Sequence, residues 1–262
     1  MKKRIVQGAA VLLVLLVIIL IVRSCGSGGG QDDPAPTGPA PTEAAVTAHR
    51  IDVPYLSQVG EYPSGCESVS AVMALNYAGY EIDVDAFIDK YLPTGEEPYY
   101  GDDGLLYADS PFETFIGSPY SDTAYGCYAP VIKKALEAFL SAEEGPQEVN
   151  ADPAGYEYRA VADLSVTPLQ ELCENYVARD IPVIVWGTIG MQPIEALTEW
   201  ILPSGSVFTW KSQEHCLLLV GYDETYYYFN DPMEGKDTAY LKADAEKAYA
   251  ELYTQALAII KE

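Results

Sequence analysis

The chain is short of histidine and of positive charge. Its 262 residues include two histidines, and 15 lysines and arginines stand against 39 aspartates and glutamates. So little imidazole, with cysteines scattered rather than paired at ligand spacing, offers no zinc centre of the usual kind, and neither a metal nor a cofactor is expected. The basic deficit makes nucleic acid and anionic lipid surfaces poor partners. Cysteine is also thin. Beyond Cys25 there are Cys66, Cys127, Cys173 and Cys216, with no spacing of a small stapled scaffold, so mostly free thiols are expected.

There is one long apolar run. Lys2, Lys3 and Arg4 precede it, and from Ile5 to Val22 it covers 18 residues broken only by Gln7 and Gly8, close to what a hydrocarbon core of about 30 Å requires. Residues 1–23 are therefore expected to be a membrane anchor with everything after Arg23 outside the cell. Cys25 follows "VRS", which resembles a lipobox except for Arg23, so a lipidated or secreted form is the alternative to a retained single-pass anchor. Residues 24–48 are rich in Gly, Pro, Ser and Thr and read as a tether. Residues 49–262 then form one domain with a sizeable core. Beyond Arg23 all 39 acidic residues face only 11 basic ones, which fits solubility on a cell exterior.

Within the domain, "RIDVPYLSQ" (50–58) reads as an opening strand. "YPSGCESVSAVMALNYAG" (62–79) reads as a helix with Ser64 as N-cap, Glu67 completing an S-x-x-E capping box and Gly79 as the stop. A helix follows Asp83. Residues 93–129 are crowded with Tyr, Gly, Asp and Pro and are expected to be an ordered excursion walling a cleft. Helices are expected over 129–140 and, capped by Thr167 with Pro168 first, over 167–180. Strands are expected at 156–162, "IPVIVWGT", "SVFTW", "HCLLLVGYD", "YYYFND" and "ALAII", with "DAEKAYAELY" helical. Helices mainly first and strands mainly last is the α+β pattern.

The chemistry turns on Cys66. In the first turn of a helix a thiolate meets unpaired N–H groups and the positive end of the helix dipole, which lowers a cysteine pKa. The competing reading is an inert buried cysteine, the role Cys173 fills in mid-helix. His49 lies at the tether junction, which leaves His215, at the start of an aliphatic strand, as the candidate base. Cys216, next along, points to the opposite face. A base of this kind needs a third group to orient it, and the next strand ends in Asn230 and Asp231. Because successive side chains alternate, only one can serve; Asp231 is the first choice and Asn230 the second. Gln58 is a fitting side-chain donor to an oxyanion, with the Cys66 N–H as its partner.

Taken together, "DVPYLSQ", "YPSGCESVSAVMALNYAG", "IPVIVWG" and "HCLLLVGYDETYYYFNDP" resemble the C39-like branch of the papain-type cysteine peptidases, over residues 50–260. The resemblance implies a papain-like α+β fold with Cys66 on the N-terminal helix, His215 and Asp231 on the sheet and Gln58 in the oxyanion hole. Unlike transporter-linked relatives, the chain has no G-x-x-x-x-G-K-[ST] motif. The expected activity is extracytoplasmic, thiol-dependent hydrolysis of a peptide or protein substrate, with no obligate protein partner. Two alternatives are an amidase or transpeptidase of cell-wall peptides using the same triad, and a non-catalytic surface binding module that recognises its ligand through residues 93–129.

Overall fold

The computed structural model describes residues 47–142 and 158–261. The expected anchor at 1–23, Cys25, most of the tether and the start of the 156–162 strand lie outside those residues. Among the described residues no helix is long and apolar enough to cross a membrane.

Helix α1 (Cys66–Tyr77) is apolar or small around its whole circumference apart from Glu67 and Asn76, and every residue from Cys66 to Leu75 is buried. A helix of that composition is enclosed on all sides. It ends in a Schellman motif, with the Gly79 N–H donating to the Asn76 carbonyl (3.2 Å) and the Tyr80 N–H to the Leu75 carbonyl (3.1 Å). Its start corrects the sequence expectation. The N-cap is Gly65, without a side-chain cap, and the Ser64 N–H is engaged by the Pro119 carbonyl at 3.2 Å. Glu67 turns inward instead of completing a capping box, because the Cys127 N–H gives its carboxylate a buried donor at 2.6 Å.

Helices α2 (Val84–Tyr91) and α3 (Ala129–Leu140) pack against α1. The first follows Asp83 as expected, and the Asp83 carboxylate caps it by accepting the Ala86 N–H at 2.7 Å. Helix α4 (Leu169–Asn175) starts later than expected. Its N-cap is Pro168, whose ψ of 147° is extended, so Thr167 is not the cap; its carbonyl accepts the Tyr249 hydroxyl at 3.0 Å. Helix α5 (Lys242–Glu251) lies where the sequence puts it.

Among the described residues the strands form two sheets. In chain order they are β1 (His49–Arg50), β2 (Tyr99–Tyr100), β3 (Leu106–Tyr107), β4 (Tyr158–Asp163), β5 (Val183–Thr188), β6 (Leu197–Ile201), β7 (Val207–Lys211), β8 (Glu214–Tyr222), β9 (Tyr226–Asp231), β10 (Gly235–Leu241) and β11 (Ala256–Lys261). The larger sheet has the order β10-β9-β8-β5-β11-β4, with β1 paired to the far end of β8, and its ladders are antiparallel. β8 is buried along all nine residues, as befits a strand between two neighbours beneath α1. The β8–β9 turn is held by Asp223, whose carboxylate accepts the Thr225 and Tyr226 N–H groups at 2.7 and 2.8 Å.

The smaller sheet, β2-β3-β6-β7, is where the 93–129 excursion finds its order. "SVFTW" belongs here, paired with β6 rather than with the main sheet. Tyr128 stacks on Trp210 with ring centroids 5.2 Å apart, and Tyr125 lies 5.1 Å from Trp200, so these two tyrosines of the excursion serve an aromatic core. The opening strand is shorter than expected. Only His49 and Arg50 pair as β1, Ile51 adds one bond to the Val220 carbonyl (2.8 Å), and the chain then leaves the sheet until the Gln58 N–H reaches the Pro232 carbonyl at 3.0 Å. Pro54, with no N–H to offer, stands where the ladder is lost.

Candidate active site

Cys66 is the first residue of α1, one place earlier than the capping-box reading implies. The turn before it is tight: a side chain at Gly65 would put its Cβ 2.8 Å from the Tyr62 Cβ. Among the described residues the Cys66 thiol donates its hydrogen bond to Glu67 Oε2, at 3.4 Å, and not to His215. Burial pushes this thiol well above its ordinary value, and the charges of Glu67 and Glu214 push it further. That reverses the expected direction. The helix end favours a thiolate, but the sulfur of a residue only 5% exposed, facing two carboxyls, gains more by keeping its proton.

His215 and Asp231 are brought together as expected, Nε2 to Oδ1 at 2.7 Å, with both side chains buried. The β8–β9 register explains the choice between the two candidates. Leu218 pairs with Asn230, so Asn230 lies on the face of Leu218 while Asp231 lies with Leu217 and His215 on the other. Asn230 donates to the Val53 carbonyl at 3.2 Å and accepts the Asp237 N–H at 3.2 Å, tying down the segment that carries Gln58. Asp231 is richly supplied with donors: the Met233 N–H at 2.9 Å, the Glu234 N–H at 3.3 Å and the Tyr240 hydroxyl at 2.7 Å. Burial works to raise its pKa, but the His215 hydrogen bond and charge, then Tyr240 and Met233, overcome this and hold it down at about 2. His49 lies elsewhere, paired with Asp180 at 2.8 Å near the surface.

Gln58 is buried, its amide donating to the Pro63 carbonyl at 3.1 Å in the turn that leads to Cys66. The predicted oxyanion donor is therefore occupied by the backbone here, and its Oε1 is buried without a partner.

Sequence reasoning did not single out Glu214 or Tyr240, and it took Glu67 for a cap. Glu67 is fully buried, and Glu214 is 9% exposed. Burial raises Glu67 to about 7 against the pull of the Cys127 N–H, its own N–H, the Cys66 thiol and the His215 charge. Burial, then the charge of Glu67, drives Glu214 well up. The available signal was a carboxylate opening "EHCLLLVGY", an otherwise apolar strand. Alternation sets Glu214 on the face of Cys216, opposite His215. The four described cysteines are free and buried. Cys173 sits in α4 as a core residue, and Cys216 lies beneath α1, where Ser70 donates to its carbonyl at 3.1 Å.

A buried imidazole held by a carboxylate, beside a helix that begins with a thiol, can act in nucleophilic acyl transfer. Comparison with known proteins agrees with that class. Residues 50–257 match the model of the Peptidase_C39 like family. The uncharacterized protein YvpB of Bacillus subtilis (strain 168) is 26% identical over 198 residues, covering 76% of this chain and 70% of that protein. The crystal structure of a Bacillus anthracis protein assigned as a C39-like peptidase superposes with a TM-score of 0.67 at 24% identity, over 82% of this chain and 98% of the other. The two share a mixed fold of helices on an antiparallel sheet.

Proposed function

Since the chain belongs to the Peptidase_C39-like family, we propose that it hydrolyses peptide bonds outside the cytoplasm through Cys66, His215 and Asp231. The observation that carries this reading is the buried 2.7 Å contact between His215 Nε2 and Asp231 Oδ1. Held by that nitrogen, the ring has Nδ1 left to exchange protons with a nucleophile.

Cys66 rests as a thiol on Glu67, so catalysis begins when the sulfur turns from the carboxylate to the imidazole. Its proton passes to His215 Nδ1 as the sulfur bonds to the substrate carbonyl carbon. Asp231, kept ionised by its donors, balances the imidazolium. The Cys66 N–H, at a helix position without an intrahelical acceptor, faces the oxyanion; Gln58 joins it by exchanging Pro63 for the substrate. His215 then protonates the leaving amine, and a water activated by the same ring releases the acyl group from sulfur. The basic residues and aliphatic run of segment 1–23 support an anchored domain outside the membrane.

The test is turnover of an unstructured polypeptide and of purified muropeptides by the full-length protein and by Cys66→Ala. Loss of about 10⁴-fold in kcat/KM, with the fold retained, is expected. Unchanged turnover in that variant overturns the proposal. Activity confined to muropeptides keeps the triad and reassigns the substrate to cell-wall peptides.

A further inference from the structure

The catalytic reading uses His215 and Asp231 but leaves two buried acids beside the nucleophile without a role. One ligand atom each from Cys66, Glu67 and Glu214 lies within 4.8 Å of the others. All three residues are buried, and Glu214 Oε1 has no hydrogen-bond partner. A second orphan stands outside the trio: the Tyr128 hydroxyl is fully buried and unpartnered, and the charges of Glu214 and Glu67 act on it. Buried acids without compensation are costly, and proteins pair them, protonate them or place them on a metal.

The room available decides among ligands. Gly126 approaches so closely that an added Cβ would stand 2.5 Å from Glu67 Oε1 and 3.1 Å from Glu214 Oε2. A lysine or arginine side chain does not fit between backbone and carboxyls at that distance. A bare ion does.

We propose that Cys66 Sγ, Glu67 and Glu214 form a binding site for one thiophilic divalent cation of the zinc class, which caps the nucleophile and holds it idle. A thiolate with two carboxylates selects such an ion over magnesium or calcium, which prefer all-oxygen sites. Binding moves no electrons. Cys66 gives up its S–H proton and Glu214 its carboxyl proton, both to solvent, while Glu67 is already the acceptor of the thiol bond. The sequence expectation of no metal was argued from scarce histidine, and this ligand set uses none. The effect on turnover rests on Cys66 being the nucleophile, whereas binding does not.

The experiment titrates the reduced full-length protein, in detergent and without substrate, with Co²⁺ and then Zn²⁺. One equivalent of Co²⁺ should develop a thiolate-to-cobalt charge-transfer band that Zn²⁺ bleaches. Cys66→Ala should abolish the band. Glu214→Gln and Glu67→Gln should each weaken binding by about tenfold or more, since loss of a ligand exceeds the cost of losing a group that only orients one. His215→Ala should leave the band in place. Glutamine preserves shape and an acceptor, and thermal unfolding checks each fold; if Glu67→Gln unfolds, Glu214→Gln decides alone. Absence of the band in the wild type overturns the site. So does a band that survives both glutamine variants but vanishes in His215→Ala, which belongs to an ion on the Cys66 and His215 pair. Neither outcome depends on peptide hydrolysis, so the two proposals fail separately.

Discussion

Asp231 and Glu67 are both fully buried carboxyls, and both feel His215, yet they settle at opposite ends of the acid range. Asp231 accepts from the His215 ring, the Tyr240 hydroxyl and two backbone N–H groups and is held at about 2. Glu67 has the Cys127 N–H at 2.6 Å, a weak thiol donor at 3.4 Å and a second carboxyl as neighbour, and it rises to about 7. Neither is exposed, and burial works to raise both. The more numerous donors on Asp231, together with the His215 charge, outweigh it there and not at Glu67. The β8–β9 end of the site is built to keep a charge and lend it to an imidazole. The α1 end is built to keep a proton, or to exchange it for a cation.

The contrast breaks most sharply at Asp231. Asp231→Ala leaves His215 buried without its partner and two backbone N–H groups without an acceptor, and it should cost about 3–5 kcal/mol in urea unfolding at pH 7. A loss below about 1 kcal/mol would mean that the pair is not the compensated one. The second expected effect has the other sign. Glu67 titrates above its ordinary value, at about 7, so the stability it lends is full below about pH 4.3 and drains away as the pH rises through about 7. Wild-type protein should therefore unfold at lower temperature at pH 8 than at pH 5. Glu214→Gln removes a buried carboxyl that the Glu67 charge acts on, and should raise stability more at pH 8 than at pH 5. An equal gain at both values would show that packing, not charge, drives the change.

Legibility in the sequence follows the same division. Helix α3 was readable to the residue, since the periodicity of "APVIKKALEAFL" and its early proline are local signals. The aliphatic strands β5, β8 and β11 announce their burial by composition. Strands β6 and β10 were missed because "LTEWI" and "GKDTAYL" are half-exposed and mixed in character, and only their tertiary partners make them strands. The pairing of His215 with Asp231 could be reached from the hairpin and the alternation rule. What could not be reached was the fate of Glu67. Its capping-box position is a local signal, and a long-range donor, the Cys127 N–H, outcompeted it. The expected thiolate failed for the same reason, because the second carboxyl beside Cys66 comes from Glu214, 148 positions later in the chain.

The smallest expected effect is the one that tests whether the two networks are separate. Tyr240→Phe removes one donor from Asp231 Oδ2 and leaves the His215 contact and both backbone donors in place, so at pH 7 it should cost about 1 kcal/mol. Its signature lies in acid. Asp231 titrates below its ordinary value, so its contribution is full above about pH 4 and is lost as the pH falls towards about 2. Without Tyr240 the carboxyl titrates nearer the ordinary range, and the acid-unfolding edge should move to higher pH. The loss of stability between pH 5 and 8 belongs to Glu67 and should not change. If Tyr240→Phe shifted that branch too, the carboxyl at the end of β9 and those beside Cys66 would be exchanging charge through His215 as one titrating unit, and the contrast between them would be a matter of degree.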